Sequence, residues 1–284
     1  MKYLKLTLSE KSQYRNSLPY HSFVNNITDN KQLSGGIHMV FMCFSSKDRH
    51  TIVEAIVFNL INFGIPIWYD RHKILLGDNR NYKNFVEGVE GSNYAVIILS
   101  TNCINSICAN EEIDLIYDKY KNNAMTVFPI FYNIKASELP EKYCWMKTIV
   151  YKELTVSDDV RGACNHIVCR FLLDELQKYK IQTISDFLKI ENSSDDYTYL
   201  KKLSILYLNI CTDNINARLT LLYAAIIFIR KSNFPTSIPT FYFKGADRLY
   251  SETKLNLTID LREGLIMERS YLLLLNVTIF GYIV

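Results

Sequence analysis

Along the first two-thirds of the chain, short unbroken apolar runs alternate with stretches in which apolar residues recur every three or four positions. Residues 39–44 are continuously apolar, the mark of a strand covered on both faces. A polar stretch follows at 45–49. Then Ile52, Val53, Ile56, Val57, Leu60 and Ile61 trace one face of a helix that Gly64 ends. The cycle repeats with a strand at 65–69, a loop at 70–81 and a helix at 82–91. Next come a strand at Tyr94–Leu99, a loop at 100–106 and a helix at Ile107–Lys121. A strand at 125–131, a short one at 148–151 and a helix at 158–179 close the series. This alternation predicts an α/β fold, an open parallel five-stranded sheet with helices on both faces. Ligands of such sheets sit beyond the carboxyl ends of the strands.

Near residue 180 the alternation stops. Residues 163–234 contain neither Gly nor Pro. Leu200, Leu203, Leu206 and Tyr207 form one helical stripe, and Leu219, Leu222, Tyr223, Ile226 and Ile227 form another. Thr212, Asp213 and Asn214 supply a cap between them. Pro235 and Pro239 break the run, and Leu261–Phe280 reads equally as a helix or as strands. The pattern therefore divides the chain into an N-terminal arm (1–36, ending Ser34-Gly35-Gly36), an α/β domain (37–180) and a mostly α-helical C-terminal domain (181–284).

Composition narrows the function classes. Hydrophobic residues make up 49% of the 284, with only 10 Gly and 6 Pro, which excludes a disordered or low-complexity chain. The net charge of +3 is not spread evenly. The arm holds five Lys/Arg against two Asp/Glu, whereas 37–180 hold sixteen against seventeen and 181–284 eleven against ten. No folded segment is basic, so nucleic acid is not an expected partner. Seven cysteines without C-x-x-C spacing suggest free thiols in a reducing cytoplasm, with neither a metal site nor a disulfide framework. The apolar runs at 219–229 and 271–284 fall short of the ~20 residues of a membrane helix. The N-terminal residues lack a signal-peptide layout. The expected setting is cytoplasmic, without a membrane partner.

The segments at the strand ends carry a distinctive set. Strand one ends Phe44-Ser45-Ser46-Lys47-Asp48; strand two ends Trp68-Tyr69-Asp70, and its loop closes Leu76-Gly77-Asp78. Strand three ends Leu99-Ser100-Thr101-Asn102, and the next helix opens Ser106-Ile107-Cys108-Ala109-Asn110-Glu111-Glu112-Ile113. In this order, over about 37–180, the set resembles the bacterial type of TIR (Toll/interleukin-1 receptor homology) domain. The resemblance implies a doubly wound, flavodoxin-like sheet. It also implies one of two functions: an interaction module, or an enzyme that cleaves NAD through one glutamate near the start of the helix after strand three. NAD+ would be substrate, with no cofactor. Self-association through TIR domains is implied as well. So is a Thoeris-like role in anti-phage defence signalling, with a phage trigger or a downstream effector that receives the nucleotide product.

Glu112 and Glu111 compete for the catalytic place. Counting without gaps from Ser100 puts Glu112 at the family's glutamate and Cys108 at its aromatic; the other alignment uses Cys108-x-Asn110-Glu111. Ile113, Ile116, Tyr117 and Tyr120 define the buried stripe of the helix. At ~100° per residue, Glu112 lies beside that stripe and Glu111 nearly opposite it, which favours Glu112. By resemblance, Phe44, Ser45, Lys47, Asp70, Gly77, Ser100 and Cys108 surround the substrate. Simpler roles compete at several of them: a solvated loop lysine for Lys47, a positive-φ turn for Gly77, a cap for Ser100. The chemistry suits a single carboxylate, because nicotinamide leaves as a cationic group and needs no general acid, while the ribose becomes oxocarbenium-like. The alternative is a non-catalytic TIR scaffold assembling through the 70–81 loop. A receiver-like phosphoacceptor is disfavoured, since strand one ends in Ser45-Ser46 rather than an acidic pair.

Overall fold

The computed structural model describes residues 38–177, 183–191, 194–232, 240–255 and 261–280. The arm expected at 1–36 and the Pro235–Pro239 break lie outside them. The described residues from Met39 onward fall in one compact unit. Five strands, β1 (Val40–Cys43), β2 (Ile67–Trp68), β3 (Tyr94–Leu99), β4 (Thr126–Tyr132) and β5 (Lys152–Leu154), make a sheet in the order β2-β1-β3-β4-β5. Every pairing is parallel. All six residues of β3 are buried, as an apolar run in a central strand requires. The chain turns from β1 outward to β2 and then crosses back to β3, so β1 and β3 flank the point where the winding reverses.

Alternation along the strands sorts side chains into two cores. Val40, Met42, Tyr94, Val96 and Ile98 face one side and pack with α1 (Glu54–Asn62). Phe41, Cys43, Ala95, Ile97 and Leu99 face the other. There they meet α4 (Ile107–Lys121) and the end of a π-helix, Tyr82–Glu90. The segments expected as loops each contain one short helical turn, α2 (Asp70–Lys73) and α3 (Thr101–Ile104).

β5 lies later than the sequence pattern places it, at Lys152–Leu154 rather than 148–151. Thr148 instead ends a 3-10 helix, Glu141–Thr148, and Val150 is exposed. An edge strand with only one covered face carries no apolar run to announce it.

The helix after β5, α5 (Arg161–Leu176), links the sheet to the C-terminal helices. These are α6 (Ile184–Leu188), α7 (Asp195–Asn209), α8 (Ile215–Lys231), α9 (Thr240–Leu255) and α10 (Leu261–Phe280). Leu261–Phe280 is thus helical. Asn214 caps α8, its side chain accepting from the Ala217 amide. The first core does not end at the change of texture: Leu172 of α5, Leu219 and Ile226 of α8, and Tyr271 of α10 belong to one cluster with the sheet. Glu175 of α5 accepts from the hydroxyls of Tyr94 on β3 and Tyr242 on α9, at 3.3 and 3.4 Å.

Gly88 sets how closely the π-helix approaches the sheet. A Cβ there would lie 2.6 Å from the Phe41 ring and 3.1 Å from Trp68, two rings stacked at 5.0 Å. Overpacking of this kind costs ~1–3 kcal/mol, more than the ~1 kcal/mol of helix propensity that Ala adds. Gly88→Ala should therefore lower stability by about 1 kcal/mol in urea unfolding; an unchanged midpoint would show that the helix can shift freely.

Candidate active site

Strand ends and helix starts converge on one cleft. Phe44 follows β1, Trp68 and Asp70 come from the end of β2, Asn84 from the π-helix, and Cys108 and Glu112 from α4. The start of α4 is held in place locally. Ser106 Oγ accepts from the Ala109 amide, and Asn110 Nδ2 donates to the carbonyls of Ile104 and Ser106, each at 2.8 Å. One turn on, Glu112 is 6% exposed while Glu111 stands in solvent. The helix phase that separates the two residues thus aims Glu112 at the sheet face bearing Cys43.

Burial dominates the electrostatics of Glu112 and pushes its carboxyl from 4.5 up to about 7. The nearby Asp70 adds to the rise, while the Cys43 and Cys108 thiols and the Arg80 guanidinium oppose it. Asn84 Nδ2 donates to Glu112 Oε1 at 2.9 Å, and Cys108 Sγ donates to the same oxygen at 3.5 Å. Burial likewise raises both thiols, Cys43 and Cys108, so neither is an activated nucleophile. The one group in the cleft tuned toward neutral pH is a carboxylate.

Asp70 is clamped. Arg49 holds it with two hydrogen bonds, 2.7 and 2.6 Å, and gives a third to Tyr69 Oη at 2.8 Å. The Asp70 carboxylate raises the Arg49 pKa above its ordinary value. The guanidinium also stands 5.0 Å from the Phe44 ring centre, so the exits of β1 and β2 are tied together at the mouth of the cleft.

The other residues singled out in the sequence are placed elsewhere. Ser45 is buried and accepts from the Lys47 amide, capping the turn Ser46–Asp48. Lys47 is exposed. Gly77 sits in the outer loop with φ +99°, a turn position that favours glycine. Ser100 caps α3 and donates to buried Asp48, which also accepts from Asn102 at 2.7 Å. Phe44, Asp70, Cys108 and Glu112 therefore share the cleft; Ser45, Lys47, Gly77 and Ser100 do not line it.

Among the lining residues that the sequence pattern did not single out for the site are Arg49, Trp68, Arg80 and Asn84. Phe44 and Trp68 are the aromatic residues among the lining, and Trp68 is itself 3% exposed. Among the described residues no group of three or more His, Cys, Asp or Glu could hold a metal ion. Among them, too, no helix is long and apolar enough to cross a membrane.

Residues 40–168 match the family model described as TIR domain. An Escherichia coli protein named NAD(+) hydrolase TcpC is 32% identical over 101 residues, 35% of this chain and 32% of that protein. A Methanobrevibacter olleyae protein named probable 2′ cyclic ADP-D-ribose synthase TcpO is 31% identical over 124 residues, 44% of this chain and 35% of that one. The 2′ cyclic ADP-D-ribose synthase AbTIR of Acinetobacter baumannii is 24% identical over 128 residues, 45% of this chain and 46% of its own. The chain spans less than half the length of each of these relatives. Motif order, sheet order and family match all fall on the same stretch, residues 40–168, where the chain is similar to TIR domains.

Proposed function

We propose that the TIR domain cleaves the nicotinamide–ribose bond of NAD+, as a hydrolase or an ADP-ribosyl cyclase, with Glu112 as the catalytic residue. One observation carries the reading. A buried carboxylate poised at about 7 faces a cleft at the carboxyl ends of the parallel strands. Relatives named as NAD(+) hydrolases and as cyclic ADP-ribose synthases support the substrate.

In this mechanism the C1′–N bond breaks and its electron pair leaves with nicotinamide, neutralising the pyridinium ring. Positive charge develops on the ribose, and ionised Glu112 stabilises it from a site where little water screens the attraction. Water then attacks C1′ and releases a proton to solvent to give ADP-ribose, or a hydroxyl of the same molecule attacks, losing its proton in the same way, to give a cyclic product. Trp68 and Phe44 offer apolar surface for the departing ring. Asp70, fixed by Arg49, shapes the mouth, and Cys108 rests against the working carboxylate.

A second reading, assembly without turnover, is favoured by one surface feature. Leu75 and Leu76, 74% and 108% exposed, project from the loop between β2 and the π-helix. In the enzyme reading the same loop joins neighbouring copies. The wider setting we infer is cytoplasmic anti-phage signalling. The helices of 183–280 would sense a trigger, and an effector would read the nucleotide product.

Incubating the protein with NAD+ over a concentration series, and resolving the products by chromatography, tests both readings together. The enzyme reading expects nicotinamide and an ADP-ribose product, with activity rising more steeply than concentration as light scattering reports assembly. Assembly with intact NAD+ at every concentration would establish the scaffold instead. Activity proportional to concentration in a monomer would remove the role of the loop.

A further inference from the structure

Asn84 is a polar side chain on the inward face of the π-helix, only 4% exposed. Its Nδ2 donates to Glu112 Oε1 at 2.9 Å and approaches Cys108 Sγ at 3.7 Å. The orientation of the amide follows from the chemistry, since an ionised carboxylate only accepts and the nitrogen must face it. The carbonyl oxygen is then turned away from Glu112. Asn84 Oδ1 is buried and has no hydrogen-bond partner. A buried acceptor left unsatisfied opposes folding, and an apolar residue at this place would avoid the cost. The residue lines the cleft, so a ligand bound there lies beside this side chain.

We propose that Asn84 is a second substrate-contacting residue, whose Nδ2 fixes the Glu112 carboxylate while its Oδ1 accepts from one hydroxyl of the nicotinamide-ribose diol. The proposal rests on the NAD-cleavage reading. A cis-diol presents two donors side by side, and Glu112 with Asn84 presents two acceptors joined by one hydrogen bond. Glu112 takes one hydroxyl and Asn84 the other. Both bonds strengthen as positive charge develops on the ribose, because the hydroxyls then become better donors. Asn84 thereby acts on kcat more than on KM.

Two variants separate the two ends of the amide. Asn84→Ala should lower kcat on NAD+ by roughly 10–100-fold with little change in KM. That loss should vanish on one of two analogues, with the nicotinamide ribose 2′-deoxy or 3′-deoxy, because that analogue has already lost the hydroxyl concerned. Asn84→Asp keeps the size and an acceptor but removes the donor and sets a like charge beside Glu112. The groups facing Glu112 are otherwise unchanged: Cys43 from β1, Cys108 on its own helix, Asp70 and Arg80 from the loop segments. The Glu112 midpoint, read by carbon NMR of the free protein, should rise by ~1 pH unit or more. Thermal unfolding checks that each variant is folded.

An equal Asn84→Ala penalty on NAD+ and both analogues would overturn the diol contact. An unmoved Glu112 midpoint in folded Asn84→Asp would overturn the positioning half. A wild type that leaves NAD+ intact refutes the functional reading and the diol contact with it. The NMR midpoint still decides whether Asn84 governs Glu112.

Discussion

Glu112→Gln is expected to lower NAD+ cleavage by ~10²–10³-fold, the usual consequence of removing a dominant electrostatic contribution to the transition state. Gln keeps the size of the side chain and an oxygen for the Asn84 donor, so the geometry survives and only the charge is lost. Glu111→Gln should change the rate by less than about threefold, since Glu111 stands in solvent outside the cleft. Loss with Glu111→Gln alone would contradict the assignment.

The same substitution carries a stability signature. Burial raises the carboxyl of Glu112 from 4.5 unfolded to about 7 folded, so between those values folding takes up a proton. The contribution of Glu112 to stability is flat below pH 4.5, falls as pH rises through the window, and is flat again above about 7. The drop is on the order of 3 kcal/mol. Glu112→Gln should therefore unfold at a higher temperature than wild type at pH 8, with no such advantage at pH 4. A variant that loses both activity and stability at pH 8 would mean a disrupted fold.

Glu268→Ala should be among the most destabilising single changes in the helical region, costing ~3–5 kcal/mol. Glu268 on α10 is buried and accepts from Arg218 Nε of α8 and from Tyr207 Oη of α7, both at 2.6 Å. Arg218 also donates to Tyr207 Oη at 2.7 Å and to the Ile210 carbonyl at 3.0 Å. Removing the carboxylate leaves a guanidinium with only 12% of its side chain exposed and no counter-charge among its described contacts. Replacing both partners together, Arg218→Met with Glu268→Leu, should recover most of the loss, because the penalty comes from the stranded charge. Urea unfolding of the two variants measures the difference. Equal losses would mean that the pair itself contributes the stability.

Much of the fold was legible because it rests on local signals. Tyr94–Leu99 and Ile107–Lys121 stand where six consecutive apolar residues and the stripe of Ile113, Ile116, Tyr117 and Tyr120 put them. Helix phase placed Glu112 beside the covered stripe of α4, since periodicity reports which face is covered. It does not report what lies opposite. Asn84 meets Glu112 across 28 residues, and Arg49 meets Asp70 across 21, so neither partnership leaves a mark on its own segment. The π-helical winding of Tyr82–Glu90 is equally silent in an amphipathic pattern. The texture change near 180 is real in sequence, yet Leu172, Leu219 and Tyr271 share a core with the sheet. Helix-only periodicity shows how a segment is built, not whether it buries its face on itself or on a neighbour.

If ionised Glu112 carries the reaction, NAD+ cleavage must follow the titration of this carboxyl, whose midpoint burial sets at about 7. The kcat/KM for NAD+, which reports groups of the free protein, measured with the protein held at an assembling concentration, should rise tenfold per pH unit below that midpoint and level off above it. A rate that is flat across the midpoint, or that falls as the pH rises through it, would contradict the account.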